Sequence, residues 1–193
     1  MIDLINMRAV GRKQYDDVWI IARSVRSCPS GARVVNDLSP SWDLVKKYWG
    51  WRDSGQWNAQ TFANKYLPQF LNELNGNSRA KNLMNDLYRM DKQGKRVALV
   101  CYCGDESLCH RSIVGGILAY NGVSVHATKD INDYLKYGEM YDAVAKSGKT
   151  ALSDVHKGLH SGSNAYDNRV SMLSDKLGSI ETKDILDDDL GFY

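Results

Sequence analysis

The stretch KRVALVCYCGDESLCHRSIVGG, residues 95–116, decides how this chain folds. Its apolar, β-branched run at residues 97–100 has the length and composition of a strand buried in a parallel sheet. After a polar turn, apolar residues recur at helical spacing, which places Cys109, His110 and Arg111 in the first turn of a helix. The stretch therefore predicts a strand that delivers a cluster of reactive side chains to the start of a helix.

The residues on either side complete a strand, helix and strand unit. Asn121 and Gly122 end the predicted helix, and residues 123–127 form a second apolar strand. Asp105 or Ser107 is the expected N-cap of the helix. Because ligands of parallel sheets bind outside the carboxyl ends of the strands, we expect the functional site at the cysteine-bearing loop.

Further elements are predicted along the chain, with a proline inside one of them. Ser41 is the expected N-cap of a helix that follows it, and Pro68 is expected to kink a helix or to start a new one. These elements are a strand or arm at residues 1–10, strands at 18–22 and 32–35, and helices at 42–49, 56–74 and 78–90. Together they predict an α/β fold with three layers, in which helices flank a mainly parallel sheet.

Length and composition predict one compact domain with an extension. The 193 residues are 43% hydrophobic and 25% charged, which is ordinary for a globular protein. We expect an α/β domain over residues 1–130, followed at 131–193 by a helical extension and an acidic mobile tail. No apolar run is long enough to cross a membrane, and the start of the chain lacks the layout of a secretion signal.

Charge and cysteine usage limit the expected partners and compartment. A net charge of +2 does not by itself indicate nucleic acid as a partner. The four cysteines are expected to be free thiols in a reducing cytoplasm. The sequence predicts neither an oligomeric state nor a membrane partner.

Thiol chemistry is the first interpretation of the cysteine cluster. A cysteine in the first helical turn lies in the positive end of the helix dipole, and Arg111 with a protonated His110 favours its thiolate further. Cys109 is therefore the expected nucleophile, and His110 is the expected acid and base. Cys101, at the end of the strand, is either an assisting thiol or a small core residue.

A metal site is the alternative for the same residues. Cysteine and histidine are the ligands that zinc prefers, and Cys101, Cys103, Cys109 and His110 supply four of them. The spacing argues against a closed site, because structural zinc sites commonly use two well-separated ligand pairs. We therefore expect no cofactor, with zinc as the alternative.

Anion binding is a third interpretation, and it needs neither a thiolate nor a metal. The exposed amides of a helix start, with Arg111 beside them, suit a phosphate or a carboxylate. Arg23 and Ser24 follow the strand at residues 18–22 and are expected at the same sheet edge if the strands are neighbours; otherwise they form a solvated loop. Ser41 and Trp42 are further expected ligand contacts, although a tryptophan in such a segment is also typical of a core or an interface.

The motif resembles that of the family known as domain of unknown function 488. CYCGDESLCHR after an apolar strand matches the family pattern at Cys101, Cys109, His110 and Arg111, while Cys103 stands where many members carry an acidic residue. The segments VWIIARS and LSPSWDL are similar to those of a subgroup found in bacteria and their phages. The resemblance covers about residues 18–127 and implies an α/β fold with its site at the motif, but no assigned reaction.

These observations favour a thiol-dependent enzyme that acts on a small phosphate-bearing or nucleotide-like ligand. In this hypothesis Cys109 is the nucleophile, His110 the acid and base, Arg111 and Arg23 the anion clamp, and Cys101 the assisting thiol. One alternative is a non-enzymatic nucleotide- or anion-binding protein, such as a sensor, a sequestering protein or a phage-encoded factor acting in the host cytoplasm. The other is a zinc-binding Cys3His module.

Overall fold

A single sheet of five parallel strands organises the protein, whose computed structural model describes residues 1–12, 14–25 and 28–147. The strands are β1 (Ile2–Asn6), β2 (Asp17–Ile20), β3 (Ala32–Val34), β4 (Val97–Cys101) and β5 (Val125–His126). Their order in the sheet is β3-β2-β4-β1-β5, and every neighbouring pair is parallel. The predicted parallel sheet is confirmed, and β4 lies at its centre between β1 and β2.

Helices occupy most of the remaining chain. The α-helices are α1 (Trp42–Asp53), α2 (Ala59–Thr61), α3 (Leu67–Gly76), α4 (Ser78–Lys92), α5 (His110–Tyr120) and α6 (Lys136–Ser147). Turns of 3₁₀ helix lie at Met7–Arg12, Asn36–Leu38 and Ile131–Tyr134, and a π-helical turn at Phe62–Tyr66 joins α2 to α3. The predicted α/β fold, with helices flanking the sheet, is confirmed.

The central strand is buried on both faces, as its continuous apolar sequence predicts. Side chains alternate along a strand, so Val97 and Leu99 join the main core, while Ala98 and Val100 join a smaller cluster on the other face. Residues of α3 to α6 cover the main core, and the 3₁₀ turn Met7–Arg12 packs on the opposite face. Cys101 ends β4 and is itself buried.

Two predicted helix starts are found where expected. Ser41 caps α1, and its Oγ accepts a hydrogen bond from the Leu44 amide at 3.2 Å. Pro68 lies in the first turn of α3, directly after the π-helical turn. A proline lacks the amide that would continue a regular helix, which explains why the hydrogen-bond pattern changes there.

The cap of α5 differs from the prediction. Cys109 is the N-cap, with extended backbone angles of −122° and 142°, and its Sγ accepts from the Arg111 amide at 3.5 Å. Asp105 instead accepts from the amide of Ser107 at 2.9 Å, within the polar turn. Neither predicted cap is used, because the chain becomes helical only at His110.

The extension after residue 130 begins inside the main core. Residues of α6 with large side chains are buried there, and α6 packs against α5 and α3. The acidic tail predicted within residues 131–193 lies outside the described residues, which end at 147. No helix in the described part of the chain combines the length and hydrophobicity that crossing a bilayer requires.

Helix α5 packs so closely on its neighbours that two of its glycines have no room for a side chain. A Cβ at Gly115 would lie 2.6 Å from a methyl carbon of Leu4 on β1. A Cβ at Gly116 would overlap the main-chain carbonyl of Tyr134. These contacts fix the position of α5, and therefore of the site residues at its start.

We expect Gly116→Ala to destabilise the protein by about 1–3 kcal/mol, because the added methyl must displace backbone. Gly50→Ala is the matched control, because Gly50 lies within α1 and an added methyl there would meet no neighbouring atom within 4 Å. This substitution should stabilise the protein by roughly 0.5–1 kcal/mol, since alanine has the higher helix propensity. Urea unfolding measures both changes. Equal effects of the two substitutions would show that α5 is not held by this contact.

Candidate functional site

The end of β4 and the start of α5 bring three cysteines and one histidine together. The Sγ atoms of Cys101, Cys103 and Cys109 and a ring nitrogen of His110 all lie within 4.8 Å of one another. Cys101 ends the strand, Cys103 follows two residues later, and the polar turn brings the chain back to the Cys109 cap. The strand-to-helix connection therefore folds the whole motif onto one point, which we call the Cys3His cluster.

The distances within the Cys3His cluster are short. The sulfurs of Cys101 and Cys103 are 3.4 Å apart. Nδ1 of His110 lies 3.9 Å from the sulfur of Cys101 and 4.0 Å from that of Cys109. Cys101, Cys109 and His110 are buried, while Cys103 is half-buried. The spacing along the chain argued against a closed site, yet the four donor atoms lie close enough together to hold a metal ion.

A main-chain carbonyl sets the orientation of the imidazole. Nε2 of His110 lies 2.5 Å from the carbonyl oxygen of Ile21, the residue after β2. Because a carbonyl oxygen only accepts, Nε2 carries a hydrogen and donates a hydrogen bond to it. Nδ1 then faces the sulfurs. The ring also packs edge-on against Phe70, with centroids 5.8 Å apart. His110 is thus held in one orientation from two sides.

The electrostatics of the cluster favour a thiolate on Cys101. Hydrogen bonds from Cys103 and then Cys109, together with the charge of His110, hold the pKa of Cys101 well below that of an ordinary thiol, despite burial. Burial, followed by the interaction with Cys101, raises the pKa of Cys109 well above its ordinary value. Burial lowers the pKa of His110, but the charge of Cys101 and hydrogen bonds to the thiols outweigh it and raise this pKa. The predicted thiolate on Cys109 is not what this geometry favours.

The Cys3His cluster borders a cavity of about 260 Å³, which we call the aromatic cavity. Cys101, Cys103 and His110 form one side of it. Its aromatic walls are Trp42, Tyr48, Trp49, Trp57, Tyr66 and Tyr102. The cavity therefore joins reactive sulfur and imidazole atoms to flat apolar surfaces.

Helix α1 supplies one wall of the aromatic cavity. Trp42, Val45 and Trp49 recur at helical spacing and line it together. Trp42 and Trp49 are 46% and 42% exposed, and their ring centroids lie 6.3 Å apart, so these rings form a solvent-facing rim. The sequence indicates the tryptophans but not the tyrosines that complete the walls: Tyr48 comes from α1 itself, Tyr66 from the π-helical turn and Tyr102 from the loop after β4.

Three of the predicted ligand contacts lie at this cavity. Arg23, Ser24 and Trp42 all line it, which fits the pairing of β2 with β4. Nε of Arg23 donates to the carbonyl of Pro40 at 2.8 Å, and NH2 of Arg23 donates to the carbonyl of Ser39 at 3.0 Å. Ser41 is not among the lining residues: its amide and hydroxyl both bind the Glu73 carboxylate.

Arg111 points away from the aromatic cavity. It is 3% exposed, and one of its terminal nitrogens donates to the Cys103 carbonyl at 3.2 Å. The other lies 3.8 Å from the carboxylate of Glu106, which is 5% exposed. Asn6 also donates to the Cys103 carbonyl, at 2.8 Å. Arg111 therefore positions the loop that carries Cys103.

Glu106 is a residue that the sequence did not single out. Its carboxylate accepts hydrogen bonds from the amides of Thr128 and Lys129, at 3.1 and 3.3 Å, and from the hydroxyl of Tyr134 at 3.2 Å. It thereby ties the polar turn to the chain that follows β5. Nothing in the turn sequence distinguishes this buried acid from an exposed one.

We expect Arg111→Met to destabilise the protein by roughly 3 kcal/mol, because it leaves the buried Glu106 carboxylate without its cation. Arg89→Met is the control, since the Arg89 side chain is 73% exposed and its ion pair with Asp86 should contribute no more than about 0.5 kcal/mol. Urea unfolding of the three proteins measures the difference. A loss no larger than that of Arg89→Met would contradict the positioning role of Arg111.

Comparison with known proteins identifies the family. A family model described as the active DUF488-N3 subclade matches residues 5–122, which is more than half of the chain. The matched span includes β4, the whole Cys3His cluster and α5. No curated protein and no solved structure gives a significant match. The chain therefore belongs to the DUF488 family, as its cysteine motif predicted, within the DUF488-N3 subclade described as active.

Proposed function

We propose that the protein is a thiol-dependent enzyme acting on a small, planar, nucleotide-like ligand, with Cys101 as the nucleophile. One observation carries the proposal: Cys101, Cys103 and His110 form one side of the aromatic cavity. A purely structural cluster has no need to border a cavity that opens to solvent. A ligand held there would lie against the sulfur and imidazole atoms.

The walls of the aromatic cavity favour a planar ligand. Aromatic rings stack on flat heterocycles with little regard to their exact substituents, and each such contact contributes about 1–3 kcal/mol. The volume of about 260 Å³ suits a single small ring system. The exposed rings of Trp42 and Trp49 at the rim offer contacts to whatever part of the ligand extends outwards.

The proposed reaction begins with attack by the Cys101 sulfur on an electron-poor carbon of the ligand. A carbon–sulfur bond forms, and the electron pair of the broken bond leaves with the departing group. The proton on Nδ1 of His110 then neutralises that group, while Nε2 stays bound to the Ile21 carbonyl. Water then attacks the same carbon, the carbon–sulfur bond breaks so that Cys101 leaves as a thiolate, and the proton lost by water returns to Nδ1 of His110.

Of the two arginines expected to bind an anion, only Arg23 is placed to do so at the aromatic cavity. Arg23 is the arginine that lines the aromatic cavity, and Ser24 lies beside it. Arg111 is buried against Glu106 and serves the loop instead. We therefore assign any phosphate or carboxylate of the ligand to Arg23 and Ser24, and the stacked ring to the aromatic walls.

A metal centre is the second candidate, because the donor set fits one. In a tetrahedral zinc site with Zn–S bonds of about 2.3 Å, neighbouring sulfurs lie roughly 3.8 Å apart. The sulfurs of Cys101 and Cys103, 3.4 Å apart, are close to that spacing. Nδ1 of His110 lies 3.9 and 4.0 Å from the sulfurs of Cys101 and Cys109, so all four donor atoms surround one point. The bond from Nε2 of His110 to a main-chain carbonyl is also typical of metal-binding histidines.

In that case Cys101, Cys103, Cys109 and His110 would hold the ion through sulfur and Nδ1. Bound zinc with four protein ligands would form a closed structural site that stabilises the strand-to-helix connection. The aromatic cavity would then be a binding site whose inner wall is the metal centre.

The proposal also implies a compartment. Free cysteines that must act as nucleophiles require a reducing environment. We therefore place the protein in the cytoplasm, which would be the host cytoplasm if the gene is carried by a phage.

Native mass spectrometry of the freshly purified protein, compared with its denatured mass, distinguishes the two candidates. The thiol enzyme predicts a native mass with no metal, with or without a co-purified small molecule. One zinc per chain, retained in Cys28→Ser but lost in Cys101→Ser, would contradict the free thiolate and establish the metal centre. Cys28 is the suitable control because it is exposed and lies outside the Cys3His cluster.

Alkylation with iodoacetamide tests the cavity directly in metal-free protein. Cys101 lines the aromatic cavity whereas Cys109 is buried and does not, so Cys101 should be modified before Cys109. Adenosine monophosphate, as a planar probe, should slow modification of Cys101 and leave that of Cys28 unchanged. Mass spectrometry of the digested protein follows each site.

Two outcomes of the alkylation experiment would count against the proposal. Modification of Cys109 before Cys101 would return the nucleophile to the predicted position at the helix start. Protection of Cys28 to the same extent as Cys101 would show that the probe does not act through the aromatic cavity.

A further inference from the structure

A second cavity, of about 420 Å³, lies beside the aromatic cavity and is bordered by several charged and polar side chains. It borders β1, the turn at residues 104–106, the first turn of α5 and the chain around β5. Its polar lining includes Asp3, Asn6, Tyr15, Glu106, Arg111 and His126. We call it the polar cavity. Cys103 lines the first cavity and Gly104 the second, so adjacent residues separate the two.

The buried charges of the polar cavity are already balanced, and the other charged residues that line it, Asp105 and Lys129, are exposed. Asp3 is 1% exposed, and one of its oxygens, Oδ2, accepts from two nitrogens of Arg96 at 2.7 and 3.0 Å. Arg111 is paired with Glu106. Each deeply buried carboxylate therefore has a cation, and no buried charge requires an external counter-ion.

The hydrogen-bonding capacity of the same groups is not used up. Four buried side-chain polar atoms have no hydrogen-bond partner among the described residues, and three of them belong to residues lining the polar cavity. These three are Oδ1 of Asp3, the hydroxyl of Tyr15 and Nε of Arg111. An unpaired buried polar atom costs about 1–3 kcal/mol, so three such atoms around one cavity indicate a ligand.

Neighbouring groups do not replace that ligand. Nδ1 of His126 is 3.6 Å from Oδ1 of Asp3, which is beyond hydrogen-bond distance and an ion pair only when the ring is protonated. Burial, followed by a hydrogen-bonding interaction with Asp3, raises the pKa of Tyr15 to about 12, so its hydroxyl keeps its proton. The contact with Asp3 does not have the geometry of a full hydrogen bond, so the hydroxyl can still bind a ligand. Tyr15 therefore offers a donor as well as an acceptor at the cavity wall.

We infer that the polar cavity binds a neutral polyhydroxylated group of the sugar type. A hydroxyl can donate to Oδ1 of Asp3, accept from Nε of Arg111 and do either with Tyr15. An ionic ligand would meet balanced charges and would gain little from them. A free sugar and the ribose of a nucleoside share this chemistry, and the inference does not depend on the proposed thiol reaction.

Titration with D-ribose and with adenosine, followed by ¹⁵N NMR, tests the inference. Saturable shifts are expected at the Nε–H signal of Arg111 and at the amides of Asp3 and Gly104. Tyr15→Phe should weaken binding about 3- to 10-fold, because it removes one hydroxyl without changing the shape of the wall. Tyr88→Phe, on α4 and outside the cavity lining, should bind as the unmodified protein does.

The comparison of probes identifies the source of the sugar group. Binding of both ribose and adenosine, or of adenosine alone, at these signals supports the inference and tells a free sugar from a nucleoside. Ala9→Phe, which fills the cavity from the 3₁₀ turn after β1, should abolish the shifts. This variant keeps the test independent of the aromatic cavity, which it does not border.

Three results would overturn the inference. One is the absence of saturable shifts with either sugar in the folded protein. Another is binding that Tyr15→Phe and Ala9→Phe leave unchanged, since it would arise elsewhere. The third is saturable binding of inorganic phosphate or glycine at the same signals without binding of either sugar, which would show that the polar cavity selects charge.

Discussion

The hydrogen bond from the His110 ring to the carbonyl of Ile21 joins the end of β2 to the start of α5. It fixes which ring nitrogen carries a proton, and it turns the other towards the sulfurs. The acceptor is available because Ile21 has just left β2, at the edge where parallel strands end. The chemistry of the cluster depends on this single contact between neighbouring elements, whether the cluster holds a Cys101 thiolate beside a protonated His110 or a metal ion.

The loop between β4 and α5 separates two cavities of opposite character. The carbonyl of Cys103 receives donors from Asn6 and Arg111, both of which line the polar side, while its sulfur faces the aromatic side. The loop therefore has a fixed main chain and a reactive side chain at the same residue. The thiol of Cys103 is thus held at the aromatic cavity by groups that do not line that cavity.

Much of this fold follows from sequence patterns, and the errors have physical causes. The central strand, the cap at Ser41 and the convergence of two strand ends were predicted because apolar runs and cap residues act locally. The cap at Cys109 was missed because thiols rarely fill that position. The direction of Arg111 depends on Glu106, whose burial is a tertiary property. The close approach of the four donor atoms was not expected, because spacing rules for structural zinc sites assume ligands in separate pairs, whereas here one turn brings them together.

The order of strands has a consequence for how the protein is made. β1 pairs with β4, so Ile2 lies opposite Val97 and most of the sheet-forming chain must be synthesised before the first strand has its central neighbour. Until then β1 exposes unpaired backbone groups and apolar side chains. Pairing across such a long separation slows folding and favours association of incomplete chains. The strand that forms one wall of the polar cavity is therefore the part of the sheet that waits longest for its central partner.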